Sequence, residues 1–381
     1  MAGEARPDIL FWADLTPAKR GSIEDLVCAL ARAGRRLSLR ICFLLGPAVS
    51  PRIEAMFARA GAWRLALDPA RHGRLSYRLG LLRALRPRLV HYHFLGACPP
   101  DALFAGACGV RRVVVHDHAS GLPAAAAGPW RRAYRALVVA RVDRYLCPSR
   151  FVARRLRRYT GVPPGKLRVV GNAVDTARFR PPRDQAERRR LRAELLGREG
   201  HSARLIVYAG QLADYKGVEV LLAAAGRLLA RQGGVVLALA GEGPLRARVE
   251  EAARRLPGLV YLGRRDDLER VYRAAEVAVF PSLWQEAFGL TVAEAAASGL
   301  AVVASRVGGI PEVLAGGEAG LLVPPGRAEA LAGALERLLE DGVLRRRLGR
   351  RARAWVEERF ALEEVTARLL VTYRELLGAQ A

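Results

Sequence analysis

The sequence has no stretch approaching the roughly 20 uncharged apolar residues that cross a bilayer. Its opening run, Met1-Ala-Gly-Glu-Ala-Arg-Pro-Asp8, lacks the apolar core of a signal peptide. Cysteine is sparse and unpatterned. Cys28, Cys42, Cys98, Cys108 and Cys147 show no CxxC spacing and all lie in the N-terminal half. They indicate neither a disulfide framework nor a zinc site, and read as small buried residues in a reducing cytoplasm. Lysine is scarcer still: of 62 basic residues only Lys19, Lys166 and Lys216 are lysine. No Asp-x-Asp triplet occurs, so no divalent metal is expected. There is no tandem repeat and no zinc-finger, RRM or KH pattern, and no aromatics interleave the basic runs. Nucleic acid is therefore not an expected partner, despite a net charge of +25.

What is present is enough for two packed cores: 381 residues, half of them apolar. The C-terminal half alternates short apolar runs with longer amphipathic ones. Strands are expected at Leu205–Ala209, Val235–Ala240, Leu259–Leu262, Val277–Phe280, Ala301–Ala304 and Leu321–Val323. Helical patterns lie between them, as at Val218–Ala230, Leu245–Arg255, Leu268–Ala275 and Leu290–Ser298. That alternation predicts an α/β fold with parallel sheets and helices on both faces. The N-terminal half reads similarly. Strands are expected at Ile9–Trp12, Leu37–Leu45, Leu89–His93, Val113–His116, Arg144–Cys147 and Leu167–Val170, with a helix from Ser22 to Ala33. The Pro- and Arg-rich stretch from Asn172 to Arg183 reads as the linker. The division expected is 1–175, 176–360 and a terminal helical segment, 361–381.

The basic excess has two readings. A codon bias toward Arg, Ala, Gly and Leu would give a solvated basic surface. The sharper reading is adhesion to an anionic membrane through two runs, Arg154-Arg155-Leu-Arg157-Arg158 and Arg345 to Arg353. A cytoplasmic protein with peripheral contact at the inner membrane face is the corresponding expectation.

Residues 280–294, Phe-Pro-Ser-Leu-Trp-Gln-Glu-Ala-Phe-Gly-Leu-Thr-Val-Ala-Glu, carry the densest chemistry. An apolar strand ends at Pro281, a loop presents Glu286, and Phe288-Gly289-Leu290 opens a helix carrying Glu294. Loop amides and a helix N-terminus suit an anion. Each carboxylate can accept hydrogen bonds from neighbouring sugar hydroxyls. Gly241-Glu242-Gly243 opens another strand-to-helix turn, for which a tight turn alone is an equal explanation. Lys216, in a Lys-Gly turn, offers a compact ammonium.

This stretch resembles the E-x7-E signature of the retaining glycosyltransferases of family 4. The resemblance continues, in the family's order, through Tyr208-Ala-Gly-Gln-Leu-Ala-Asp-Tyr-Lys-Gly217, Leu239-Ala-Gly-Glu-Gly243, Val260-Tyr-Leu-Gly263, Val302-Val-Ala-Ser305, Gly308-Gly-Ile-Pro-Glu312 and Gly320-Leu-Leu-Val-Pro-Pro-Gly326. It implies the GT-B fold, two Rossmann-like domains with parallel sheets facing across a cleft, the last helix packing back on the first domain. It also implies transfer of a hexose-type unit from a UDP- or GDP-sugar, with no other cofactor. The acceptor would be a glycan, a lipid-linked sugar or a small molecule, in cell-surface polysaccharide or glycolipid synthesis. By the same resemblance Lys216 neutralises the leaving diphosphate, Glu286 faces the donor sugar and Glu294 holds the ribose hydroxyls. Phe288, Gly289 and Leu290 supply amides, Gly241 and Gly243 line the nucleotide site, and Arg264 follows the backbone that meets the base. In Val115-His116-Asp117-His118, His118 ahead of His116 matches the histidine that meets the donor. A metal at His116 and His118 lacks an evident third ligand, and His91 and His93 read as strand-end packing. Gly21 stands in the first strand-to-helix loop, where the family has Gly-Gly and this chain has Ser22, placed to cap the helix. Gln211 replaces the usual Arg, leaving Arg264 or Arg265 to compensate. Three other readings remain: an epimerase or phosphorylase of this fold, a non-catalytic nucleotide-sugar-binding or membrane-adhering module, and, on charge alone, a nucleic-acid binder.

Overall fold

The computed structural model describes residues 6–15, 20–46, 49–119, 128–197 and 202–378. The chain forms two compact units, Met1–Ala173 with Leu362–Ala381, and Val174–Ala361. The first boundary thus falls after Ala173, where the sequence reading puts it after Asp175.

The first unit is built on seven strands: β1 (Ile9–Ala13), β2 (Ile41–Leu45), β3 (Trp63–Ala66), β4 (Leu89–His93), β5 (Arg112–His116), β6 (Arg144–Cys147) and β7 (Leu167–Val169). Their order is β3-β2-β1-β4-β5-β6-β7, and every pairing is parallel. Strands β1, β2 and β4 are buried along their whole length; β1 and β2 accordingly read as unbroken apolar runs, while β4 carries His91 and His93. The edge strand β3 is only half-buried and carries Arg64, so its pattern is too weak to pick out. The expected strand Leu37–Leu45 is shorter. The preceding helix runs on to Arg36, Leu37 caps it, and the strand begins at Ile41. Arg35 and Arg36 in the last turn suit the negative helix end.

The chain returns to this unit for its last helix, Leu362–Leu377. Val365, Leu369 and Tyr373 join Ile9, Phe11 and Leu30 in one apolar cluster, against the helix Ser22–Arg36. Burying each such large side chain contributes about 1.5–3 kcal/mol.

The second unit has six strands: β8 (Arg204–Ala209), β9 (Val235–Ala240), β10 (Leu259–Gly263), β11 (Val277–Phe280), β12 (Ala301–Ser305) and β13 (Leu321–Val323). Their order is β10-β9-β8-β11-β12-β13, again parallel throughout. Two apolar clusters, one on each side of the sheet, make its core. In both sheets the strand order reverses direction once, between β1 and β4 and between β8 and β11. The loops leaving the carboxyl ends of strands at such a reversal are where open α/β sheets bind ligands.

Among the described residues no helix is long and apolar enough to cross a membrane, and no disulfide joins the five cysteines. The two basic runs are only partly surface. Arg155 is buried against Asp117. Arg345 donates to the Leu338 carbonyl at 2.6 Å, and Arg353 to that of Ala297 at 2.5 Å. Arg154, Arg157, Arg158, Arg346, Arg347 and Arg350 are exposed.

Candidate active site

In the second unit the loops after β8 and β11, the strands flanking the reversal, are tied together. Leu283 and Trp284 donate backbone N–H groups to the Tyr215 carbonyl at 2.9 and 3.0 Å. This brings Lys216, at the end of the β8 loop, to Glu286 in the β11 loop, with Nζ 2.5 Å from Oε1. Ser282 Oγ donates to the same carboxylate oxygen at 2.9 Å. The Lys216 and Glu286 side chains keep 26% and 16% of their surface exposed. The pair is therefore partly desolvated yet open to a ligand. The Tyr215 ring lies 5.6 Å from Nζ, within cation–π range.

Two glycines make this loop meeting sterically feasible. Gly217 has φ +73°, and a Cβ there would lie 1.9 Å from the Pro281 carbonyl oxygen. Gly308 has φ +56°, and a Cβ would lie 2.1 Å from the Glu286 carbonyl oxygen. With no side chain in the way, Gly309 N–H donates to that carbonyl at 2.7 Å, and Gly308 N–H to Gln285 Oε1 at 2.8 Å. The Glu286 loop is held from below by backbone, which leaves its carboxylate preorganised.

Gly289 is the N-cap of the helix Leu290–Ala297, so the first amides of that helix follow directly on the Glu286 loop. Phe288 turns inward, 2% exposed, and meets Phe360 edge-on at 4.9 Å. Only its backbone is left for a ligand. Glu294 lies in the second turn of the helix, 9% exposed. Its charge adds to burial in raising the Tyr272 phenol well above its ordinary value.

The turns after β9 and β10 join the same end of the sheet. Gly241 N–H donates to the Gly263 carbonyl at 2.9 Å, and Leu212 N–H to the Glu242 carbonyl at 2.8 Å. Gly243 starts the approach to the helix Arg246–Arg255. Arg265 forms a fork with Asp267 at 2.8 and 2.7 Å, so it is not the spare cation expected to compensate for Gln211. Arg264 is exposed and only 3.7 Å from Asp266. Gln211 has its side-chain oxygen engaged by the Tyr215 hydroxyl, which ties it to the residue preceding Lys216. Ser282 and Tyr215 both lie inside the motifs read from the sequence. Their roles show only once the two loops meet.

In the first unit, β4 and β5 place His93 beside His116. His118, just beyond β5, has Nε2 3.2 Å from His93 Nδ1. Phe94, at φ +60°, stacks on the His118 ring at 4.4 Å. His118 is partly exposed, while His91, His93 and His116 are buried. Burial holds His118 down to about 4 and His91 to about 3, and His93 and His116 well below the ordinary value. All four rings are neutral at pH 7. The two histidine pairs, taken separately in the sequence, are one cluster in the fold. His116 therefore lies among rings, and His118 is the member that reaches the surface. Leaving a buried imidazole nitrogen unsatisfied costs about 1–3 kcal/mol, and this cluster has several. Asp117 points the other way, to Arg155. Burial raises its carboxyl and Arg155 opposes the rise.

Gly21 is the N-cap of the helix Ser22–Arg36, and its N–H donates to Glu24 Oε2 at 2.8 Å. Ser22 is not the cap. As the first helical residue it turns its hydroxyl to the Ala173 carbonyl at 2.6 Å, and Glu24 satisfies the cap instead. Lys19, in the same loop, lies outside the described residues.

Two Rossmann-like parallel units, with loops gathered at the strand reversal, define the GT-B class. Solved structures match it along nearly the whole chain. A glycosyltransferase from Rickettsia africae superimposes with TM-score 0.80 at 18% identity, covering 98% of this chain and 100% of that one. Anabaena Alr3699/HepE in complex with UDP gives 0.77 at 18% identity, covering 97% and 100%. The family model for Glycosyltransferase Family 4 matches residues 22–178, and that for Glycosyl transferases group 1 matches residues 203–341. The chain belongs to this glycosyltransferase family. It is 35% identical over 256 residues to the D-inositol 3-phosphate glycosyltransferase of Saccharomonospora viridis, a match covering 64% of this chain and 58% of the relative. The phosphatidyl-myo-inositol mannosyltransferase of Mycolicibacterium smegmatis is 35% identical over 213 residues, 55% of this chain and 52% of that one. The chain thus spans between half and three fifths of these relatives' lengths.

Proposed function

We propose that this protein is a retaining glycosyltransferase, moving a hexose-type unit from a nucleoside-diphosphate sugar to an acceptor hydroxyl. The observation that carries the reading is the Lys216–Glu286 pair, 2.5 Å apart, beside the N-terminus of the helix Leu290–Ala297. A diphosphate there meets one ammonium and a set of backbone N–H groups. A sugar meets a carboxylate fixed by Ser282. Lys216 neutralises the departing diphosphate, the largest electrostatic task in such a step. Glu286 orients the donor sugar, and Glu294 takes the ribose hydroxyls. The acceptor attacks on the face the diphosphate leaves, and the leaving phosphate takes its proton. No protein nucleophile is required, nor a metal at the diphosphate.

UDP complexes of a same-fold protein support a nucleotide-sugar donor. The relatives' names favour an inositol phosphate or phosphatidylinositol acceptor over a polysaccharide. The test is nucleoside diphosphate release from UDP- and GDP-sugars, with and without such acceptors. Release that requires an acceptor, and a product of retained anomeric configuration, support the proposal. Donor binding without turnover under any acceptor would instead favour the non-catalytic module, the reading motivated by Gln211 and the basic charge.

A further inference from the structure

Four of the six histidines of this chain meet in the first unit. The register makes the grouping: β4 and β5 set His93 beside His116, and the two-residue strand repeat puts His91 on the same face as His93. One donor nitrogen from each of His91, His93 and His116 lies within 4.8 Å of the others, and all three residues are buried. The outward nitrogens are engaged. His91 Nδ1 is 2.6 Å from the Tyr373 hydroxyl, and His93 Nδ1 is 3.2 Å from His118 Nε2. The remaining Nε2 atoms of His91 and His93, and both ring nitrogens of His116, have no hydrogen-bond partner among the described residues. Phe11 stacks on His93 at 4.2 Å, so an apolar ring already fills the neighbouring position on β1. Packing alone gives no reason for three imidazoles there.

We propose that His91, His93 and His116 hold one divalent transition-metal ion of the zinc type. Neutral imidazoles select zinc, cobalt, nickel or copper over magnesium and calcium. Three protein nitrogens with a water in the fourth position is an established tetrahedral arrangement. Bonds of about 2.0–2.1 Å space tetrahedral donors roughly 3.3 Å apart, so ring rotations that draw the nitrogens in by about 1–1.5 Å complete the shell. A ligand histidine whose other nitrogen is tied by a second group is the usual outer-shell pattern, and Tyr373 and His118 supply it. With Nε2 on the metal, His93 keeps its proton on Nδ1 and donates it to His118 Nε2. The ion is thereby a positioning device for His118, and its binding does not depend on the donor or acceptor proposed above.

The test uses the full chain, stripped with a chelator and titrated with Co²⁺. The expected result is one equivalent bound per chain with the intense visible absorption of four-coordinate cobalt, displaced by Zn²⁺. His116→Phe, which keeps a ring in place, should abolish that absorption. Tyr373→Phe should weaken binding by about 10–100-fold. His72→Ala, at a partly exposed site outside the cluster, should leave binding unchanged. Absence of a visible band in the wild type would overturn the proposal without reference to any variant. So would a thiolate-to-cobalt charge-transfer band, or equal binding by His116→Phe.

Discussion

The two units use the same parallel architecture but build their polar sites differently. In the second, the candidate site groups sit on loops that leave adjacent strands, and backbone hydrogen bonds, one of them donated by Gly309, fix those loops. In the first, the polar groups are on the strands themselves, buried among aromatic rings with unsatisfied nitrogens. A site on loops can stay charged and open. Imidazoles on buried strands stay unprotonated, which is what burial does to His91, His93 and His116, and the unprotonated ring is the form that ligates a metal.

The sharpest way to break this contrast is Lys216→Ala. It removes the cation of the second unit and leaves Glu286 with Ser282 alone. Turnover should fall by about 10²–10³-fold, measured as nucleoside diphosphate release, while Co²⁺ binding by the first unit is unchanged. An acid titration of metal-free protein comes next. The His91 and His118 rings, with folded values of about 3 and about 4 against an ordinary 6.5, bind protons only in the unfolded state between those limits. Their stability contribution is complete above pH 6.5 and lost as pH falls toward the folded values, by about 1.4 kcal/mol per ring and pH unit. In the second unit Glu187 is lowered from 4.5 to about 2, chiefly by the Arg183 N–H and by Arg180. Its contribution persists down to pH 4.5 and is lost through about 2. Hydrogen exchange at pH 5.5 should therefore show β4 and β5 losing protection while β8 and β11 keep theirs.

Gly217→Ala should destabilise the second unit by at least about 1–3 kcal/mol through left-handed strain alone. Each kcal/mol lowers its melting temperature by roughly 2–4 °C, and the first unit's transition should stay in place. The smallest effect is expected for Gln211→Arg. It adds a charge beside the diphosphate position at the cost of the Tyr215 hydrogen bond, and nucleotide affinity measured by calorimetry should rise severalfold.

The second unit was the legible one because its chemistry is contiguous. Each motif runs strand, glycine turn, helix start, so Lys216, Glu286 and Glu294 declare themselves within short windows. What the sequence could not display was the joining of two such windows, as when the Tyr215 carbonyl collects the amides of Leu283 and Trp284. Gln211 was visible as a departure, but its engagement by Tyr215 was not. In the first unit the two histidine pairs stand apart in the sequence, since only strand pairing puts His93 next to His116. Strand β3 escaped because a half-buried edge carrying Arg64 has neither alternation nor an apolar run. Ser22 looked like a cap by residue type, and Glu24 took that role through the Gly21 N–H.

The most direct test of the account is a thermal-shift panel of UDP, GDP, ADP and their common sugars against wild type and Lys216→Ala. A ligand at 100 times its Kd stabilises the folded protein by about 2.7 kcal/mol. The account predicts a clear shift with one nucleotide family, strongly reduced in Lys216→Ala. A shift of equal size in both proteins, or none with any nucleotide, would contradict the placement of the donor site at Lys216 and Glu286.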